Sequence, residues 1–586
     1  MAQNRFNLKC FSFKNILFIT LIFSGFTVFA QSNWPADMHD PSRITKEGDT
    51  YWIFSTGEGI HCRYSKDMVT WAVGLSPFPN GEFPEWVLNY AVTETDTFAG
   101  LFWAPDIIYM NNHYYLYYTC SIWATMSSCI GVVVNKTLDP ESLDYEWIDQ
   151  GDIGIYSPDF SPGGAGWDVN TLDPAPMRAP DGKVWLVYGS FNKGGIMVTE
   201  VDTVTGKPIG DRISIANSWT GTYSGYFEGE GGFMFYHDGY YYLVYDKGLC
   251  CNGIESTYYM VIGRSESPTG PFVDKDGNAM KVIGSASGGT VLFKHDDTRG
   301  EEDRYFGPGH FGLYSENGID YVTFHYYNPT GYWSEGLKGW ASLGMGMLKW
   351  GEDGWPEISF DFIEGGAYFL INANSNKAMD LQNHISGEGS LLWQYSYDKS
   401  QNTQIWVFKS LGTGEYTIRN YNDLNYITAS DQVLTVESAS EPTINQKYRV
   451  AKGVDNKIII FPTTRDELIE IPDAYTFDYQ IKLWWNTNHA CQRWSLIPYN
   501  GEVNFLSTRE DEDRVKLYPN PVNDKVYIEA DRNATLEVYS STGQKVLAEE
   551  LIESVNTIDI SHLEPGLYIF EVLGNNSSVR RMILKK

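Results

Sequence analysis

The chain reads as an all-β protein whose first and largest part is a five-bladed β-propeller. Two observations carry this. An aromatic-rich strand preceded by a turn recurs five times: Tyr51-Trp52-Ile53-Phe54, Tyr114-Tyr115-Leu116-Tyr117, Val184-Trp185-Leu186-Val187, Tyr240-Tyr241-Tyr242-Leu243 and Tyr321-Val322-Thr323-Phe324. Upstream of each stands a polar residue fit for chemistry, namely Asp40, Asp106, Asp173, Glu230 and His310, at offsets of 11, 8, 11, 10 and 11 residues. A strand unit repeated with a polar residue in phase is the signature of a propeller, whose inner strands all face one axis. Carboxylates and a histidine would thereby gather around one channel, and two carboxyl groups across a polar cleft are what glycosidic cleavage requires.

Bulk properties narrow the field. At 586 residues the chain is too long for one compact domain and fits two to four. Aromatic residues make up 15%, which suits an aromatic β-core and sugar-stacking surfaces alike. A net charge of −31 excludes nucleic acid as a partner, because phosphate binding needs Lys and Arg patches, and favours a neutral polymer. Residues 1–30 have the form of a secretory signal peptide: Lys9 and Lys14 are basic, residues 16–29 are mostly apolar, and Val28-Phe29-Ala30 precedes Gln31. No later apolar run is long enough to span a membrane, so export as a soluble protein is expected. Beyond the signal, Cys120 and Cys129 could bridge in an oxidising compartment, which spacing alone does not establish, and the adjacent Cys250-Cys251 has no zinc-like partner pair and reads as structural.

Residues 31–362 hold the five units and end at Leu348-Lys349-Trp350-Gly351-Glu352-Asp353-Gly354-Trp355-Pro356. Along them lie His39-Asp40-Pro41-Ser42, Phe102-Trp103-Ala104-Pro105-Asp106-Ile107, Leu172-Asp173-Pro174, Tyr188-Gly189-Ser190-Phe191, Leu249-Cys250-Cys251 and Gly307-Pro308-Gly309-His310. In this order and at blade spacing they resemble glycoside hydrolase family 43, its arabinanases above all. The resemblance implies an inverting enzyme in which Asp40 is the general base, Glu230 the general acid and Asp173 the residue that tunes the acid and holds the sugar. The physics agrees with that division: a neighbouring carboxylate keeps an acid protonated, and a base set roughly 6.5–9.5 Å away leaves room for water. Glu228 lies two residues before Glu230, on the same face of a strand, and stands as the alternative acid. Trp103 is expected to be a stacking platform, Ser190 and Phe191 subsite residues, and Asp106 a structural residue that orients its loop. In the arabinanases the residue matching His310 ligates a metal, usually calcium, largely through waters, which implies a channel calcium ion here.

A second repeat follows over residues 363–498, with Gln404-x-Trp406, Gln446-x-Tyr448 and Gln492-x-Trp494 at intervals of 42 and 46. It resembles a ricin-type β-trefoil carbohydrate-binding domain, with Tyr448 departing from Trp. That family's layout places sugar contacts at Asp380, Trp393, Gln394 and Tyr395 in the first lobe; the other two lobes show no clean match. Residues 499–514 read as a polar linker. Residues 515–586 carry Leu517-Tyr518-Pro519-Asn520-Pro521, Val538-Tyr539-Ser540-Ser541-Thr542-Gly543-Gln544 and Leu563-Glu564-Pro565-Gly566-Leu567-Tyr568. They resemble the C-terminal sorting domain of type IX secretion substrates, a small β-sandwich, which implies the type IX machinery as partner and a secreted or surface-attached protein.

The expected function is an endo-acting arabinanase that cuts the α-1,5-linked L-arabinofuranose chains of arabinan, a pectin side chain. Exo-arabinanase, α-L-arabinofuranosidase or β-xylosidase activity is the alternative within the family, and a catalytically inactive polysaccharide-binding protein the alternative outside it. A monomer is the expected state.

Overall fold

The computed structural model describes residues 36–157, 169–191, 194–219, 229–283, 287–296, 305–332, 338–412, 414–499, 516–518, 522–529, 534–540, 545–553, 555–564, 566–573 and 578–586. The signal peptide, Glu228 and the expected linker after Tyr499 lie outside them. Nearly all regular structure is β, and among the described residues no helix is long and apolar enough to cross a membrane.

Five largely antiparallel sheets follow one another and form the five blades of a propeller. Their first two strands are Thr45–Glu47 and Thr50–Ser55 in blade one, Leu101–Met110 and His113–Ser121 in blade two, and Ala175–Arg178 and Val184–Tyr188 in blade three. In blade four they are Glu230–His237 and Tyr240–Lys247, and in blade five Phe306–Glu316 and Ile319–Tyr332. The recurring aromatic strand is thus the second of each blade. It is paired on both edges and covered on both faces, so it carries a continuous apolar run instead of an alternation; Leu116, Tyr117, Leu186, Val187, Leu243 and Val244 are all fully buried. The polar residues upstream sit at or near the head of the first strand.

The apolar cores lie in the seams between blades. Trp52 and Phe54 meet Phe102 and Leu116; Tyr117 and Val132 meet Leu186 and Tyr188; Val187, Phe233, Leu243 and Phe324 share a larger cluster across blades three to five. The ring closes where Met38 N–H donates to Ala341 O (3.1 Å) and Leu343 N–H to Ala36 O (2.9 Å), joining the segment before blade one to the third strand of blade five, Lys338–Trp350.

Strands from Gly366–Asn372 to Trp494–Pro498 make one continuous sheet system wrapped around Leu370, Leu392, Trp406, Tyr448 and Trp494, the β-trefoil. It packs directly on the propeller. Arg493 pairs with Asp67 and donates to Thr70 Oγ1 (2.8 Å), Val454 N–H donates to Asp67 O (3.2 Å), and Val69 packs with Ile459, Phe461 and Leu468. The Arg449 guanidinium lies 4.8 Å from the centre of the Tyr305 ring. Residues from Tyr499 onward form a separate compact unit, in which a three-stranded and a four-stranded sheet share a core of Val526, Ile528, Leu536, Val538 and Phe570.

Candidate active site

At the heads of the first strands the chain must turn sharply so that a side chain points along the axis. Asp40, Asp173 and His310 all adopt left-handed backbone conformations there, with φ of 48°, 57° and 61°. In blade four the same need is met by Gly231 (φ 60°), directly after Glu230. Non-glycine residues in this region cost on the order of 1–3 kcal/mol and cluster at functional sites; Asp is among those that tolerate it best.

Asp40 is gripped from several sides. Its Oδ2 accepts from Thr56 Oγ1 (2.7 Å) and lies 2.8 Å from His39 Nδ1, and its amide donates to His325 Nδ1 (3.3 Å). Burial works to raise the Asp40 pKa, but His39, His325 and His310 outweigh it and hold the carboxyl well below the usual carboxylate range. Burial pushes His325 down to about 4, so that its ring is neutral and its Nδ1 can accept.

Glu230 has the opposite setting. Ser190 Oγ donates to one carboxyl oxygen (2.8 Å) and Tyr258 Oη to the other (2.9 Å). Burial raises its pKa, these two donors pull it back, and the Asp40 charge raises it again, leaving it at about 7. Asp173 accepts the Gly231 amide at Oδ2 (3.0 Å), and its own amide donates to Thr119 Oγ1 (3.2 Å). It too is pushed well above its ordinary value, by burial first and by Glu230 and Asp40 next. The cluster therefore holds an ionised carboxylate beside two carboxyls biased toward their protonated forms.

The remaining expected residues fall as follows. Trp103 is half-buried on the first strand of blade two, opposite Thr119. Ser190 is buried behind Glu230, with its hydroxyl donating to the carboxyl. Phe191 remains half-exposed beside it, its amide bonded to Gly229 O (3.0 Å). Asp106 is engaged by Arg43 through Nε (3.0 and 3.1 Å), and that guanidinium lies 4.7 Å from the centre of the Phe233 ring. His310 places Nδ1 3.8 Å from Asp40 Oδ1, and burial lowers its pKa, which keeps the imidazole in the form that ligates metals. Calcium prefers six to eight oxygen ligands, so His310 with the Asp40 oxygen fits such an ion only if water completes the shell.

Three features escaped sequence reading. Asp246, fully buried, stands directly opposite Glu230 across the blade-four ladder and accepts the His310 amide at Oδ2 (2.8 Å). Cys250 and Cys251 are disulfide-bonded to each other; Cys251 Sγ lies 3.8 Å from His39 Nε2, and its amide donates to Tyr327 Oη (2.7 Å). Trp123, 69% exposed, stands edge-on to Trp103 with ring centres 5.9 Å apart. Cys120 and Cys129 face each other across neighbouring strands as free thiols.

In the trefoil, Gln404 Nε2 donates to Asp380 Oδ2 (3.0 Å) and Trp406 Nε1 to Met379 O (3.0 Å). The third lobe repeats this set with Gln492 Nε2 to Glu470 Oε2 (2.9 Å) and Trp494 Nε1 to Ile469 O (3.1 Å). Glu470 therefore occupies the place of Asp380, a match hidden by the change from Asp to Glu. The second lobe has Thr428 there, bonded by Gln446 (3.0 Å). Asp380 itself is fully buried and reaches the surface through exposed His384, whose Nδ1 lies 2.7 Å from Oδ2. Trp393 and Tyr395 are half-exposed and stacked, with an interplanar angle of 16°. Gln394 is fully buried, and its amide donates to Tyr475 O and Phe477 O (2.8 and 2.7 Å).

An ionised carboxylate near a protonatable carboxyl on a propeller is the pair that glycoside hydrolases use. The chain belongs to glycosyl hydrolases family 43, which matches residues 34–356. Residues 359–443 match the ricin-type β-trefoil lectin domain-like family, and residues 516–586 the secretion system C-terminal sorting domain. The sorting domain marks the protein as secreted or held at the cell surface. The extracellular exo-α-(1→5)-L-arabinofuranosidase of Cellvibrio japonicus is 36% identical over 55% of this chain and 86% of its own length. The extracellular endo-α-(1→5)-L-arabinanase 1 of Bacillus subtilis is 32% identical over 57% of this chain and 93% of its own. Among solved structures, an exo-1,5-α-L-arabinanase from a bovine ruminal metagenomic library is 32% identical, covering 56% of this chain and 98% of that one, with a TM-score of 0.48.

Proposed function

We propose that the protein is an exported, inverting arabinanase that cleaves α-1,5-linked L-arabinofuranose chains internally. The observation that carries the proposal is the opposed setting of two carboxyls: Asp40 held ionised by its histidines, Glu230 held near neutrality by burial. Asp40 takes a proton from a water molecule as that water's oxygen bonds to the anomeric carbon. The glycosidic C–O bond breaks as the Glu230 proton passes to the leaving oxygen. The new hydroxyl forms on the opposite face, with Asp40 protonated and Glu230 ionised, and solvent resets both. Asp173, fixed by Thr119 and Gly231, orients the sugar and sits beside the acid. Trp103 supplies an apolar face for the sugar ring.

A calcium ion is proposed at His310, held otherwise through water; when bound it would supply positive charge beside the carboxyls. Chelation with EGTA is expected to lower the melting temperature and the rate, and added calcium to restore both; no change in either removes the ion from the proposal. Type IX export through residues 515–586 and a monomeric state complete the reading.

The test is incubation with linear debranched arabinan while product sizes are followed over time. An early spread of oligosaccharides is the expected result. Arabinose or one short oligomer alone would assign exo action, the reading favoured by likeness to the Cellvibrio enzyme. The absence of any product would transfer the proposal to xylan-type substrates or to a binding protein.

A further inference from the structure

The third lobe of the trefoil carries an excursion, residues 472–481, that leaves its own lobe and runs along the first. Tyr479 and Gln480 pair with Gln394 and Trp393 on the strand Ser390–Ser396. Buried Gln394 holds the excursion by two carbonyls, Asn374 Nδ2 donates to Ala474 O (2.8 Å), and Lys377 pairs with Asp478 at 2.8 Å. This anchoring places the rings of Tyr475, Phe477 and Tyr479 beside those of the first-lobe site. Ring centres follow in unbroken sequence: His384 to Tyr395 at 4.4 Å, Tyr395 to Trp393 at 6.1 Å, and Trp393 to Tyr479 at 6.4 Å. Tyr479, Tyr475 and Phe477 then close into a cluster, with Tyr475 4.7 Å from each of the other two and Phe477 5.8 Å from Tyr479. The row ends at Phe477, 55% exposed.

We infer that this aromatic row is a binding strip for an internal stretch of a neutral polysaccharide chain. The inference rests on the carbohydrate-binding reading of the trefoil and extends it from a single sugar to several. A row of rings longer than one sugar offers successive apolar surfaces to the C–H faces of successive residues, which a closed pocket for a chain end does not. Its flanks are polar and locally neutralised, as in the Lys377–Asp478 pair, and so complement hydroxyl groups rather than a charged polymer. The strip is continuous with the first-lobe site, which fixes the occupant as a glycan. Four polar anchors hold the segment beside the packing of Ala474, Tyr475 and Ile481 on the trefoil core, and Phe477 is left exposed.

The experiment uses the full chain carrying Glu230→Gln, so that ligand is not consumed. Calorimetric titration with linear α-1,5-arabino-oligosaccharides, from disaccharide to hexasaccharide, is compared with the same chain carrying Phe477→Ala and Tyr479→Ala. The expected result is hexasaccharide affinity about tenfold weaker at the trefoil and disaccharide affinity unchanged. The same two substitutions with Glu230 intact should hydrolyse soluble oligosaccharides at the parent rate. Equal hexasaccharide affinity in the folded variant overturns the strip. So does a concentration-dependent dimer of the parent that the substitutions abolish, since the row would then be a self-association face. Xylo- and galacto-oligosaccharides are titrated in parallel. Length-dependent, Phe477-dependent binding of one of those alone would keep the strip and overturn the arabinan reading instead.

Discussion

Glu230 is buried and Asp40 partly so, yet burial governs only one of them. Three imidazoles reverse it at Asp40, whereas at Glu230 it prevails over two hydroxyl donors. The reaction needs Asp40 ionised and Glu230 protonated. kcat/KM should therefore be level through mildly acidic pH, fall as pH rises through about 7, and fall on the acid side only well below the usual carboxylate range. Ser190→Ala removes a donor that favours the charged form of Glu230; its pKa must rise, and the alkaline limb should move up by up to about one unit. His39→Ala removes an influence that lowers Asp40, so the acid limb should move to higher pH. Asp40→Asn and Glu230→Gln should each cost about 10²–10⁴ in kcat with an unchanged melting temperature, checked by calorimetry beside the assay. Far from this chemistry, the hydroxyl of Tyr448 is buried without a hydrogen-bond partner among the described residues, where the other lobes place a bonded indole. Tyr448→Phe should be neutral or stabilising by up to about 1 kcal/mol in thermal unfolding.

At the level of the element, the turn into each blade is the vulnerable part. A Cβ on Gly231 would lie 2.2 Å from Asp246 Oδ2, and its φ of 60° suits glycine. Its amide also holds Asp173. Gly231→Ala should lower the melting temperature and reduce activity by at least about tenfold, read by calorimetry and a fixed-time assay. These turns explain how much was legible in the chain. A blade is a local unit, so strand, turn and head residue recur in sequence, and phase alone singles out Asp40, Asp106, Asp173, Glu230 and His310. Asp246 escaped because it lies downstream of the aromatic run, on the second strand, where the repeat sets no expectation. Gln394 turns inward because alternation along the strand leaves its neighbours Trp393 and Tyr395 outward, which the motif layout does not convey. The contact of Ser190 with Glu230 was not legible, since only the fold brings blade three against that residue. Glu470 matched Asp380 in space while differing in side-chain length.

On the scale of the molecule, the trefoil is fixed to the catalytic body and not hung from it. The pair between Arg493 and Asp67 is mostly buried, with side chains 18% and 8% exposed. Arg493→Ala should destabilise by about 1–3 kcal/mol, visible as a lower first melting transition, because it strips a charge partner from an enclosed carboxylate. A chain cut after residue 362 uncovers Val69, whose burial is worth about 1.5–3 kcal/mol, and should melt lower and aggregate more readily than the intact protein. Loss of activity in such a truncation would consequently say nothing about sugar capture; point substitutions on the trefoil surface are the fair comparison. The seam has a consequence for digestion of a solid wall. Two sites joined by a loose tether share an effective concentration that falls with tether length. Here that quantity is set by packing across Val69 and Arg493, so a strand held by the lectin-like lobes meets the cleft at one distance and one angle. Erosion of the wall would then proceed outward from each anchorage over a fixed reach, and the enzyme's preference among accessible strands would be one of orientation.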